Sequence, residues 1–265
     1  MAIRGEAVSP EIAVQVTDLK KDFLIANQAI GSVKTLLLWW KRRSVHKIQV
    51  LKGITFDVKK GECVALVGRN GAGKSTLLAL LARVYKPTSG SIKVVGRVAP
   101  LLELGAGFHP DLSGAENVYY NAVILGLTRK QVKERFDKIV AFSELGDHIW
   151  APVRSYSSGM TSRLGFSVAI HVDADVLIVD EVLSVGDFEF AEKCLKYIRE
   201  FKDRGGTILM VSHHVETVEA FADRAIWIQH GEIKMIGKPA EVIPIYREKS
   251  ESDLGRGQSE PPKSP

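Results

Sequence analysis

The chain of 265 residues is poor in cysteine. Its two, Cys63 and Cys194, have neither a CxxC partner nor metal-ligand spacing. That excludes a zinc module and a disulfide scaffold, and suits two buried thiols in a reducing compartment. Long hydrophobic runs are missing too: none approaches the ~18 apolar residues of a membrane span. Met1 to Pro10 lacks the apolar core of a signal peptide. Charge is nearly balanced, with 36 basic and 31 acidic residues giving a net +5, too little to argue for a nucleic-acid partner. There is no internal repeat and no Asn-Lys-x-Asp motif for guanine recognition. What remains is 45% hydrophobic residues, ordinary for a globular protein with a real core. The length suits one α/β domain, with or without a subdomain. It is expected in the cytosol, unless a partner holds it at the cytoplasmic face of a membrane.

The most informative stretch is Val64-Ala-Leu-Val-Gly-Arg-Asn-Gly-Ala-Gly-Lys-Ser-Thr76. An apolar run ends at Gly68, and the pattern Leu77, Leu78, Leu80, Leu81 begins a helix after Thr76. Gly68, Gly73, Lys74 and Ser75 match G-x-x-x-x-G-K-[ST] in the strand-then-helix context that a phosphate loop needs. The N–H groups from Gly68 through Arg69, Asn70, Gly71, Ala72 and Gly73 must converge on phosphates, which side chains would obstruct. The helix then points its positive end at the same anion. Lys74 can reach the β- and γ-phosphates, and Ser75 can hold Mg²⁺. A nucleoside triphosphate is the ligand this stretch predicts.

Along the chain, Ile12 to Val16 alternates like a strand, and Gln49 to Val58 reads as another. Between them, Ile30 to Arg43 places Trp39 and Trp40 before Lys41, Arg42 and Arg43. That composition suits an interfacial helix at a membrane, and equally an ordinary packed helix with a solvated basic end. Ser113 and Glu116 are spaced as a capping box. A mainly helical insertion is expected over 113–172, with one helix from Thr161 to His171. Ala174 to Asp180 and Thr207 to Val211 are apolar enough for buried parallel strands. His230-Gly231 reads as a hairpin turn, and the polar residues from Ser250 onward as disordered.

Val176-Leu-Ile-Val-Asp180 followed by Glu181 places two carboxylates at the C-terminal end of a buried strand, where doubly wound sheets bind ligands. Asp180 is suited to the Mg²⁺ shell and Glu181 to polarising an attacking water. Ser155-Tyr-Ser-Ser-Gly-Met160 lies upstream, and Val185-Gly-Asp187 and Val211-Ser-His-His214 lie downstream.

Taken in this order, over about residues 12 to 247, the motifs resemble those of the nucleotide-binding subunits of ATP-binding-cassette transporters. The resemblance implies an α/β fold: a P-loop NTPase core of RecA type, an antiparallel β subdomain and the inserted α-helical subdomain. Residues 248–265 would be a disordered polar tail. It also implies a head-to-tail homodimer in which ATP and Mg²⁺ lie between one phosphate loop and the other copy's signature, Ser157, Ser158 and Gly159. His213 would orient the γ-phosphate, Asp187 would couple the two sites, and Phe23 falls where the family stacks an aromatic on adenine. The family's Q-loop glutamine is absent, with Glu103 the nearest polar substitute for a metal or water contact. Tyr156, Ser158 and Met160 also depart from the commonest signature. Glu-Leu-Gly-Ala-Gly-Phe-His-Pro at 103–110 and the Tyr-Ser-Ser-Gly-Met signature look like cassettes that export O-antigen, teichoic acid or related glycans. The expected partners are therefore a separate membrane permease and, through it, a lipid-linked glycan. A soluble cassette acting on ribosomes or DNA is the alternative, but that class usually has tandem cassettes or a long coiled-coil insertion, and neither occurs here.

Overall fold

The computed structural model describes residues 11–26, 45–102, 104–180, 187–212 and 215–256. Side-chain detail covers most of these. Glu103, Glu181, the 182–186 stretch, His213 and the expected interfacial helix at 30–43 lie outside the described residues.

Two sheets form the frame. A three-stranded antiparallel sheet has the order β2–β1–β4, from Val45–Lys59, Ile12–Ala26 and Ser89–Val94. The second has six strands in the order β5–β6–β7–β3–β8–β9. These are Val98–Leu101, Val176–Val179, Thr207–Val211, Cys63–Val67, Arg224–Gln229 and Glu232–Gly237. All its pairings are parallel except β8 with β9. Every residue of β3, β6 and β7 is buried, as a strand covered on both faces requires. β9, at the edge, alternates between exposed and half-buried positions.

Because side chains alternate across a strand, these three strands feed two separate cores. Cys63, Ala65, Val67, Leu177, Val179, Ile208 and Met210 face one core with helix residues such as Leu164, Phe166 and Phe190. Val64, Leu66, Val176, Ile178, Leu209 and Val211 face the other, with Leu77, Leu81 and the β1–β2 hairpin. α1 (Lys74–Leu81) lies in this second core.

The stretch 113–172 carries α2 (Gly114–Ile124), α3 (Arg129–Ser143), two short 3-10 turns and α4 (Ser158–Ile170). Ser113 and Thr128 each close a complete capping box, and the fully buried Asn117 ties α2 to the preceding loop through His109, Leu112 and Ser113. α5 (Phe188–Asp203) and α6 (Val215–Phe221) follow β6 and β7.

Two expectations need correction. The helix expected from Thr161 begins at Ser158, because Ser157 caps it by accepting from Met160 N. The polar tail is not disordered from residue 248: α7 runs from Pro239 to Arg256. Its buried anchors Val242 and Ile243, and Tyr246 against Trp227, hold its first turns on β8. Once nucleated there, a helix extends at little cost per residue.

Candidate functional site

The loop between β3 and α1 is shaped by glycines that answer different demands. A Cβ on Gly68 would stand 2.2 Å from the Ile228 carbonyl oxygen, so only glycine lets the loop leave β3 against β8. Gly73 ends the loop at φ 104 with Leu51 2.7 Å from where a Cβ would be. Arg69, Asn70, Gly71 and Ser75 are exposed and Thr76 is half-buried, whereas Ala72 is buried in the second core.

Lys74 is only 6% exposed. Its Nζ donates to the Gly68 carbonyl at 2.6 Å and to that of Arg69 at 3.2 Å, across the loop. Burial pulls its pKa below the usual lysine value, while the Asp180 carboxylate acts in the opposite direction. Asp180 directly follows β6, its N–H directed at the Leu101 carbonyl. The structure thus brings together the lysine and the acid that the sequence placed in separate motifs.

The β8–β9 hairpin braces the same loop, a contact the sequence did not reveal. His230 and Gly231 both have positive φ, 51° and 80°, the two-residue primed turn that matches strand twist. Gly231 donates to the Ala72 carbonyl at 3.1 Å and accepts from Lys52 N at 2.9 Å, linking phosphate loop and β2. A Cβ there would lie 2.3 Å from the Val50 oxygen.

Ser157, Ser158 and Gly159 sit at the start of α4, with both serines exposed. With Leu145, His148 and Asp187 they line a cavity of about 580 Å³ that contains no phosphate-loop residue. Within one chain, the signature and the phosphate loop are therefore separate sites. Tyr156, the signature's departure from leucine, bonds its hydroxyl to the His148 carbonyl at 2.6 Å and so ties the preceding turn to the head of α4. Asp187 caps α5 by accepting from Phe190 N at 3.0 Å. That bond, reinforced by Arg163, holds its carboxyl below the usual range. Phe23 is half-buried, edge-on to Tyr85 with centroids 5.5 Å apart, and the Lys21 ammonium lies over both rings. Among the described residues, no cluster of three or more His, Cys, Asp or Glu could hold a metal by itself.

The comparisons with known proteins agree with this geometry. The ABC transporter family model matches residues 51–184. An O-antigen export system ATP-binding protein of Klebsiella pneumoniae is 48% identical over 246 residues, 90% of this chain and 98% of that protein. This chain belongs to the ABC transporter family. A Myxococcus xanthus protein of the same description is 51% identical over 81% of this chain and 50% of its own length. A teichoic acids export ATP-binding protein of Lactococcus lactis is 46% identical over 89% of this chain and 50% of its own length. The chain thus spans about half the length of those two. In three dimensions it is similar to a dimeric, post-hydrolysis state of the ATP-binding cassette MJ0796 bound to ADP and Pi. That match has a TM-score of 0.67 at 18% identity, over 85% of this chain and 98% of that one. An ATP binding subunit of an ABC transporter matches with TM-score 0.68 at 23% identity, over 90% and 93%.

The cassette's residues fit a magnesium nucleotide. A glycine-shaped loop, a buried ammonium, the exposed Ser75 hydroxyl and the Asp180 carboxylate are the donor and acceptor types that phosphates and a hard cation require.

Proposed function

We propose that this chain is the ATP-hydrolysing subunit of an exporter that moves a polysaccharide or lipid-linked glycan across the cytoplasmic membrane. The observation that carries the mechanism is the separation of the phosphate loop from the cavity at the head of α4. Two copies arranged head to tail would complete two sites, each with one copy's Lys74 and the other's Ser157, Ser158 and Gly159. The exposed start of the 13-residue α4 supplies the positive helix end that a γ-phosphate favours. The glycan class is supported by the 48% identity to an O-antigen export ATP-binding protein along nearly its whole length.

In this reading Ser75 and Asp180, with Glu103, would hold Mg²⁺, which would supply charge neutralisation at the phosphates. Lys74, released from its loop carbonyls, binds the β- and γ-phosphate oxygens. Glu181 takes a proton from the attacking water, His213 holds that water and the γ-phosphate in register, and Asp187 connects the paired sites. Phe23 stacks on adenine.

The membrane partner is a separate permease, which would hold the cassette at the cytoplasmic face. Tyr119, Tyr120, Val123 and Ile124 form a face on α2 at i, i+4 spacing, with Ile124 62% exposed. Phe136 stacks on Tyr119 and lies against Trp150, itself 66% exposed, extending the apolar row. An exposed patch of this kind marks an interaction surface.

The test is reconstitution with a permease and a glycan substrate. ATP hydrolysis should depend on Lys74, and Glu181→Gln should retain nucleotide yet slow hydrolysis by roughly 10²–10⁴-fold, the usual worth of a general base. Parental hydrolysis in Glu181→Gln would remove Glu181 as the base. ATPase activity without any stimulation by glycan or permease would remove the export reading.

A further inference from the structure

Arg163 lies outside the motifs that the sequence singled out, yet it holds three elements together. Its guanidinium, on α4 beyond the signature, pairs with the Asp187 carboxylate and, at 3.3 Å, with Glu144 at the C-terminal end of α3. It also lies over the Phe190 ring, 5.1 Å from its centroid. Lys193 on α5 completes the group, pairing with Glu144 at 2.6 Å and donating to the Phe142 carbonyl at 2.9 Å. Both oxygens of Asp187 are thereby committed: Oδ1 caps α5, and Oδ2 is held by Arg163. Asp187 cannot shift along α4 without losing one of them.

We propose that Arg163 is a positioning residue for ATP hydrolysis. By fixing Asp187 to the signature helix, it holds the residue that connects the paired sites in register with the head of α4. A change at the head of α4 is then passed directly to Asp187 of the same copy. The proposal rests on the dimeric reading above, in which the head of α4 meets the other copy's nucleotide. A planar guanidinium suits this task because its two terminal nitrogens hold the two carboxylates in fixed directions, which a rotating ammonium does less rigidly. Asp187 and Glu144 are about half exposed, and ion pairs of that kind contribute little to folding. The Arg163 side chain itself is 20% exposed and packs over Phe190, but glutamine keeps much of that stem, so the loss in Arg163→Gln falls mainly on rate rather than on melting.

The full chain is assayed as Arg163→Gln, Arg163→Lys and Lys193→Gln, with steady-state ATP hydrolysis and thermal melting on each. Arg163→Gln should lower kcat at least ~10-fold, leave KM for ATP within ~2-fold and melt close to the parent. Lys193→Gln removes one of the two pairs on Glu144 but leaves the Asp187 pair, and should keep kcat within ~2-fold. Arg163→Lys should fall between, restoring one pair of the two. Parental kcat in Arg163→Gln overturns the proposal. So does an equal loss in Arg163→Gln and Lys193→Gln accompanied by lower melting, the pattern of a plain structural brace. Parental activity in a mixed dimer of Ser157→Arg with Lys74→Ala would overturn the dimeric reading and the proposal with it; at most half the parental activity there leaves the Arg163 variants to decide the proposal.

Discussion

Gly68 and Gly71 stand in one loop and would tolerate alanine very differently. Gly71 has φ 80 and nothing within 4 Å of a built Cβ, so only backbone conformation resists substitution. Gly71→Ala should cost about 1–2 kcal/mol, a fall of roughly 2–8 °C in melting temperature for a chain of this size. Gly68→Ala meets a backbone oxygen on β8 at 2.2 Å, so a larger melting loss and failed nucleotide binding are expected. Melting curves and a fluorescent-nucleotide titration on both variants test the contrast. Phe23 separates by the same two measurements. If it stacks on adenine, Phe23→Ala should weaken nucleotide affinity by the ~1–3 kcal/mol typical of base stacking. If its edge contact with Tyr85 is all it makes, melting falls and affinity does not.

Among the helices, α3 and α4 allow the most direct tests. Thr128 and Gln131 satisfy each other's N–H groups at the head of α3, and Thr128→Ala should cost about 1 kcal/mol, or roughly 2–4 °C in melting. At the other end of α4, His171 bonds the Ser167 carbonyl at 2.7 Å and packs edge-on to Phe142. Burial pushes its pKa below the ordinary 6.5, the Ser167 bond opposes this, and Arg135 and Lys138 add to the lowering. Between the folded and unfolded pKa values the unfolded chain binds the extra proton, so stability is lost as pH falls below about 6.5. Melting measured from pH 7.5 to 5 should show that loss, and His171→Gln should flatten it. The caps were legible from four adjacent residues, since Ser113–Glu116 and Thr128–Gln131 are local arrangements. The lowering at His171 was not, because Phe142, Arg135 and Lys138, which pack on it or repel its charge, come from α3.

For the molecule as a whole, the decisive question is whether one chain holds a complete site. Ser157→Arg places bulk and charge at the head of α4, in the cavity apart from the phosphate loop. Mixed dimers of Ser157→Arg with Lys74→Ala should hydrolyse ATP at no more than half the parental rate, since at most one composite site stays intact. Parental activity in a monomeric Ser157→Arg chain would rule out sites shared between copies. The buried strands β6 and β7 were readable from sequence, since a run such as Val176-Leu-Ile-Val179 has no polar face to expose. The order in which they pair was not, and neither was the extent of α7, whose polar composition masked a helix anchored at its first turns.

The sequence by itself determined the ligand class, the two carboxylates that follow β6 and the Ser113–Glu116 cap. Each of these is written in neighbouring residues, through backbone freedom, charge and hydrogen bonds that span a few positions. Only the tertiary structure decided that Gly231 braces the phosphate loop, that Asp180 acts on Lys74, that alternate residues of β3 serve two cores, and that Arg163 clasps Asp187. Those contacts join distant parts of the chain. Their partners are chosen by strand order and by how helices on one face and α1 with a second sheet on the other close over the six-stranded sheet, terms that no local stretch of residues contains.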